Sequence, residues 1–132
     1  MTTPFDDPQA ELAWMFVQTM SGDGDLDEGF SLLSEDFTYW SNALGTPCDK
    51  ARMRRIAEWG RAVGPFSFDL INCINDGENV VIEAQPEAVS ATGKHYDSPC
   101  VFIFETRDGL ITSVREYSDT RQIAEAFGVI PQ

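Results

Sequence analysis

From Phe66 onward the side-chain pattern has a period of two, and it is interrupted three times by residues that reverse a strand. FSFDLINCIN, NVVIEAQPEAVS, HYDSPCVFIFET and LITSVREYSD alternate in character, and DGEN, ATGK and RDG separate them. Strands joined by turns this short pair antiparallel with their neighbours, so the back half predicts a four-stranded antiparallel meander.

The front half has the helical period instead. Asp7 is placed to cap a first helix with Pro8 at its first position, and Leu12, Met15, Phe16 and Thr19 recur along one face before SGDGD ends it. Asp25 caps a short second helix carrying Leu26, Phe30 and Leu33, after which SEDFTYW turns extended. A third helix follows Pro47 with Asp49 as cap, buries Met53, Ile56, Gly60 and Val63, and stops near VGP. Asp119 and Gln122 form a capping box for a last short helix that Gly128 closes. Helices first and strands afterwards is an α+β order, with three helices available to cover one face of the sheet.

Length and charge narrow the function. The 132 residues, without repeat or linker, read as one domain over 1–132, large enough to bury roughly two thirds of its unfolded surface without a metal or disulfide staple. A formal charge of −13 disfavours nucleic acid and anionic membrane surfaces as partners, and leaves a small neutral or apolar molecule as the better fit. MTTPFDD and the acidic DDPQAELAW lack the features of a signal peptide, and no apolar run reaches membrane-spanning length, so a cytoplasmic location is expected. Cys48, Cys73 and Cys100 are odd in number and widely spaced, which suits buried free thiols rather than a disulfide framework or a zinc site. His95 is the single histidine, so a multi-histidine metal centre is excluded, and no cofactor is called for.

One residue breaks the pattern. In SVREY, Arg115 and Glu116 point to opposite faces, and Glu116 shares its face with Val114. A three-residue loop with Gly109 left-handed sets Thr106 opposite Leu110, Phe104 opposite Thr112, Phe102 opposite Val114 and Cys100 opposite Glu116. A two-residue turn at Asp108 and Gly109 shifts the register by one and sets Glu116 against Val101. In the first register the other face carries Val101, Ile103, Arg115 and Tyr117, also substantially apolar; a second copy of the chain covering it makes a homodimer the economical reading. A carboxylate on a covered apolar face pairs, protonates or serves a function. The plain alternative is that Glu116 bonds Arg54 or the Trp40 indole, or reaches solvent at the sheet end.

GDLDEGFSLLSEDFTYW and FIFETRDGLITSVREYSDT, in this order of elements, resemble the nuclear transport factor 2-like superfamily, and in particular its SnoaL-like, ketosteroid isomerase-related branch, over about residues 8–128. The resemblance implies helices and a cone-shaped curved antiparallel sheet enclosing an apolar pocket of terpene or steroid scale, an outer sheet face that commonly makes a dimer, and cofactor-independent acid/base chemistry or simple ligand binding. Carried over by position, the aspartate of limonene epoxide hydrolases corresponds to Glu116 and their tyrosine to Tyr39, whereas their arginine and second aspartate fall near Ala84 and Pro86. The ketosteroid isomerase tyrosine, base and acidic donor fall near Phe16 and Val17, Ser41, and Pro99 and Cys100, so neither catalytic set is complete.

What remains is a candidate site with Glu116, Tyr39 and Asp97 as catalytic groups and Trp40, Met53, Trp59, Tyr96, Cys100, Phe102 and Val114 as ligand contacts. Aromatic side chains at these places equally suit a plain core, and Phe102 with Phe104 filling the cone is the competing outcome. His95, after the TGK turn, is expected to be exposed, and Glu83, Gln85 and Glu87 to form a solvated stripe.

Overall fold

The computed structural model describes residues 5–131; the first four residues of the acidic amino-terminal stretch, and Gln132, lie outside them. Helix α1 spans Pro8–Thr19, α2 Leu26–Ser31, and α3 Lys50–Val63. Each begins at the expected aspartate: Asp7 accepts from the amides of Gln9 and Ala10, Asp25 from Asp27 and Glu28, and Asp49 from Arg52. Strands β1 (Leu33–Ser41), β2 (Cys48–Asp49), β3 (Ser67–Asp76), β4 (Asn79–Val89), β5 (His95–Tyr96), β6 (Cys100–Arg107) and β7 (Leu110–Tyr117) precede α4 (Thr120–Phe127), which Asp119 caps and Gly128 ends.

The strand order is β2-β1-β7-β6-β4-β3, with β5 paired to β4 off this path. The meander β3-β4-β6-β7 is antiparallel as the turns dictate. SEDFTYW goes further than a connection: it becomes β1, parallel to β7, with Tyr39 beside Val114 and Ser41 beside Glu116. HYDSPCVFIFET does not run as one strand. It breaks after Tyr96, because Pro99 has no N–H for a ladder, and resumes at Cys100. Register shifts in β1/β7, β3/β4 and β6/β7 add the local twist that curves the sheet around α1.

The β6–β7 register corrects the expected one in an instructive way. The turn has two residues, Asp108 and Gly109, both with positive φ (53° and 78°), and it sets Arg107 opposite Leu110. Between the pairs Thr106/Ile111 and Glu105/Ser113 the extra residue Thr112 bulges, its hydroxyl donating to the Glu105 carbonyl at 3.1 Å. The ladder therefore pairs Phe104 with Val114 and Phe102 with Glu116, not Cys100 with Glu116. Turn and bulge each change parity once, so Glu116 still lies on the inner face.

Inside, α1 lays Phe16 and Val17 against Val80, Ile82, Phe104, Ile111 and Val114, all essentially inaccessible. Helix α3 is more loosely held than its pattern suggested: Met53 is buried, while Ile56, Gly60 and Val63 are only partly so. No helix among the described residues is long and apolar enough to cross a membrane.

Candidate active site

The inner face of the sheet is not uniformly filled. Near the β6–β7 turn Phe104 meets Phe16 edge-on at 6.2 Å, and Phe16 packs on Phe30 at 6.3 Å. Toward the other end of the same strands a cavity of about 160 Å³ remains, walled by Met53, Ile56, Ala57 and Trp59 of α3, by Phe68 and Phe102 of the sheet, and at its mouth by Ile123, Phe127 and Ile130. Phe102 lines the cavity and Phe104 does not, so the two phenylalanines do not fill the cone.

Into this apolar space β7 presents Glu116, partly buried and the one carboxylate that lines the cavity among the described residues. Its position follows from the parallel β1–β7 pairing. Ser41 is its direct neighbour, and Tyr39, two residues earlier on the same face, lies within a side chain's reach. The Tyr39 hydroxyl donates to Glu116 Oε1 at 2.8 Å, and Ser118 Oγ donates to Oε2 at 3.1 Å. Both donors are neutral. Arg54, the expected structural partner, instead pairs with Asp27 at 2.9 Å and lies over the Phe30 ring.

Burial pushes the Glu116 carboxyl above the usual glutamate range, while the bonds from Tyr39 and Ser118 pull the other way without cancelling it. Tyr39 is raised well above an ordinary tyrosine by burial, then by the Glu116 charge and the bond to it. Tyr96 and Cys100 are raised chiefly by burial as well, so the Cys100 thiol stays protonated and is a poor nucleophile. The arrangement is thus a carboxyl group able to take or give a proton, with neutral hydroxyls around it and largely apolar side chains lining the rest of the cavity.

Of the residues singled out in the sequence, Glu116, Tyr39, Met53, Trp59, Tyr96, Cys100, Phe102 and Val114 are brought together around the cavity. Two are not. Trp40 follows Tyr39 on one strand and must point the other way; it packs on Tyr117 at 5.2 Å on the outer face. Asp97 is exposed where the chain breaks before Pro99, its carboxylate 3.9 Å from His95 Nδ1 and away from the cavity. His95 Nε2 also contacts Glu87 at 2.6 Å, and these three side chains bring potential ligand atoms within 4.8 Å of one another on the surface.

Other parts of the site went unassigned in the sequence. Asn42 exchanges hydrogen bonds with the Ser118 backbone, 3.0 Å to its carbonyl and 3.1 Å from its amide, and the Asn42 amide donates to the Glu116 carbonyl at 3.2 Å. This clamp fixes the end of β7 that carries both Glu116 and Ser118. The wall from α4 had a readable signal in Ile123 and Phe127 at helical spacing. Arg61, also at the cavity edge, sends one guanidinium nitrogen to the carbonyls of Thr19, Ser21 and Gly24, tying α3 to the α1–α2 connection.

The sequence pattern of the SnoaL-like domain matches residues 15–114. The chain belongs to the SnoaL-like domain family. No curated protein sequence matches it. Among solved structures, this SnoaL-like protein is similar to a candidate SnoaL-like polyketide cyclase from Jannaschia sp. CCS1, with 17% identity, TM-score 0.78 and 99% of each chain covered. A second likeness is to a hypothetical protein of ketosteroid isomerase-like fold from Catenulispora acidiphila DSM 44928, in complex with trimethylamine, at 20% identity and TM-score 0.77 over 98% of this chain and 96% of that one. A third is to an LEH-like epoxide hydrolase of M. tuberculosis, at 17% identity and TM-score 0.75 over 91% and 89%. At these identities the likeness is one of fold: a curved sheet with helices on its concave side.

Proposed function

We propose that this SnoaL-like protein is a cofactor-independent isomerase, cyclase or hydrolase in which Glu116 transfers a proton on a small apolar substrate bearing a carbonyl or epoxide oxygen. The observation that carries the proposal is the position of Glu116, alone among the carboxylates of the described residues in an unfilled apolar cavity and held on each oxygen by a neutral hydroxyl. As a base, the ionised carboxylate removes a proton from the carbon beside a carbonyl, and the electron pair of the broken C–H bond moves onto the carbonyl oxygen as an enolate. Burial favours this direction because it favours the neutral carboxylic acid that results. Tyr96, which also lines the cavity, is positioned to hold the oxygen; Tyr39 donates to Glu116 while it is charged and is released toward the substrate as Glu116 takes the proton. Return of the proton at a different carbon completes an isomerisation. Relatives in fold that are named as a candidate polyketide cyclase and an epoxide hydrolase support the same reaction class.

The test is deuterium uptake. A small cyclic ketone in D₂O, followed by NMR, is expected to exchange its α-protons faster with the wild type than with Glu116→Gln; equal rates would remove Glu116 as the acid/base group.

A second reading, a non-catalytic ligand-binding or accessory protein, is favoured by one observation. Ala84 and Pro86 are buried where the resemblance calls for an arginine and an aspartate, so the carbonyl or epoxide would be activated by fewer groups. A ligand that binds in the cavity and is never converted supports it.

The remaining expectations belong to the same proposal. The chain acts as one domain, its free thiols suit the reducing cytoplasm, and a second copy covers the outer face. Ile74, Val81 and Ile103 stand in register there, with Arg115 between them and Trp40, and Ile74 is 59% exposed. Light scattering is expected to give a dimer that Ile103→Glu converts to monomer.

A further inference from the structure

We infer that the site takes a non-anionic molecule built on a single six-membered ring, with one oxygen directed at Glu116, and that it excludes fused-ring skeletons of steroid size. The inference rests on the proposed role of Glu116 and narrows its substrate.

Volume is the first argument. At about 160 Å³ the cavity matches engineered apolar cavities of about 150 Å³ that take up benzene, so one ring with short substituents occupies it fully. A second fused ring must project beyond Ile123, Phe127 and Ile130 at the mouth. Phe127 is not free to fold back. Phe127 packs on Phe66 at 5.3 Å and on Tyr96 at 5.6 Å, and Tyr96 stands edge-on to Phe66 at 5.7 Å, so the mouth is a small aromatic cluster of its own.

Polarity is the second argument. The polar groups gather on one wall, where Tyr39, Glu116, Ser118 and Tyr96 line the cavity, and the opposite wall from α3 offers Met53, Ile56 and Ala57. A ligand with one polar end and an otherwise apolar ring meets both walls. An anionic ligand would meet Glu116 directly. Arg61 at the cavity edge sends one terminal nitrogen to the carbonyls of Thr19, Ser21 and Gly24 while its buried Nε has no partner, so it is the Glu116 charge that disfavours a carboxylate.

Calorimetric titration of the full chain with a size and charge series tests this: 2-cyclohexenone, a two-ring enone, a steroid enone and cyclohexanecarboxylate, the soluble compounds at millimolar concentration. The expected result is saturable binding of cyclohexenone, with the two-ring enone, the steroid and the carboxylate each weaker by at least about tenfold, a difference of about 1.4 kcal/mol. Phe127→Ala, which removes a lining side chain, is expected to narrow the gap between cyclohexenone and the two-ring enone about tenfold. Steroid binding equal to or tighter than cyclohexenone binding would overturn the inference, as would tight carboxylate binding or no binding of cyclohexenone. The deuterium readout separates the two proposals. A bound cyclohexenone that exchanges no protons contradicts the acid/base role and leaves the size class standing, whereas a steroid enone that exchanges through Glu116 contradicts the size class alone.

Discussion

The two ends of the sheet's inner face are built from the same strands, yet one is packed solid and the other holds a cavity. At the closed end Phe37, Phe104 and Ile111 leave almost no accessible surface. At the open end the same strands carry Phe102, Val114 and Glu116 around unfilled space. The closed end supplies stability through close packing, and the open end gives up some of that packing to hold a desolvated carboxylate. The predicted consequences of substitution differ accordingly.

The largest effect belongs at the closed end. Phe104→Ala should cost about 3–5 kcal/mol in urea denaturation, because a fully enclosed ring leaves a cavity its neighbours cannot refill. A cost as small as that of a lining residue would erase the distinction between the two ends. At the border, Arg61→Leu strips three carbonyls of their shared donor and should cost about 2–4 kcal/mol by the same measurement. Within the open end, Tyr39→Phe removes one of the two donors to Glu116 and should cost about 1–2 kcal/mol, while moving the Glu116 titration to still higher pH.

Glu116→Gln has the smallest effect at acid pH, where the native carboxyl is already neutral, and its sign is set by linkage. Because the folded carboxyl titrates above the unfolded one, the folded wild type binds more protons between the two values, and its stability falls as pH rises through that window. The glutamine variant lacks this loss. Melting curves at successive pH values should therefore show the variant gaining on the wild type above the ordinary glutamate range, with a slope of at most about 1.4 kcal/mol per pH unit. A constant gap would contradict the assigned shift.

Much of this contrast was legible in the sequence because side-chain parity along a strand survives errors in register. The two-residue turn was the second of the two turns the sequence allows and the Thr112 bulge was not anticipated, yet Glu116 stays on the face of Phe102 and Phe104 because the two shifts together preserve parity. The same rule could have excluded Trp40, since it cannot share a face with Tyr39. Asp97 was misplaced for a different reason: treating the segment through Pro99 as one strand carried the alternation across a break. The Asn42 clamp depends on β1 lying parallel to β7, a long-range pairing that no local pattern reveals, whereas the Ser118 bond is local, two residues along from Glu116. Arg61 was hidden because its partners are backbone carbonyls, which carry no side-chain signature.

The most direct test of the account is the titration of Glu116 itself, followed through its side-chain carboxyl carbon by NMR in the wild type and in Tyr39→Phe. A midpoint above the protein's ordinary glutamates, rising further in Tyr39→Phe, is the predicted result. A midpoint at or below the usual value of about 4.3, unchanged by the substitution, would mean that the carboxylate is solvated, and would contradict a desolvated acid/base group in the cavity.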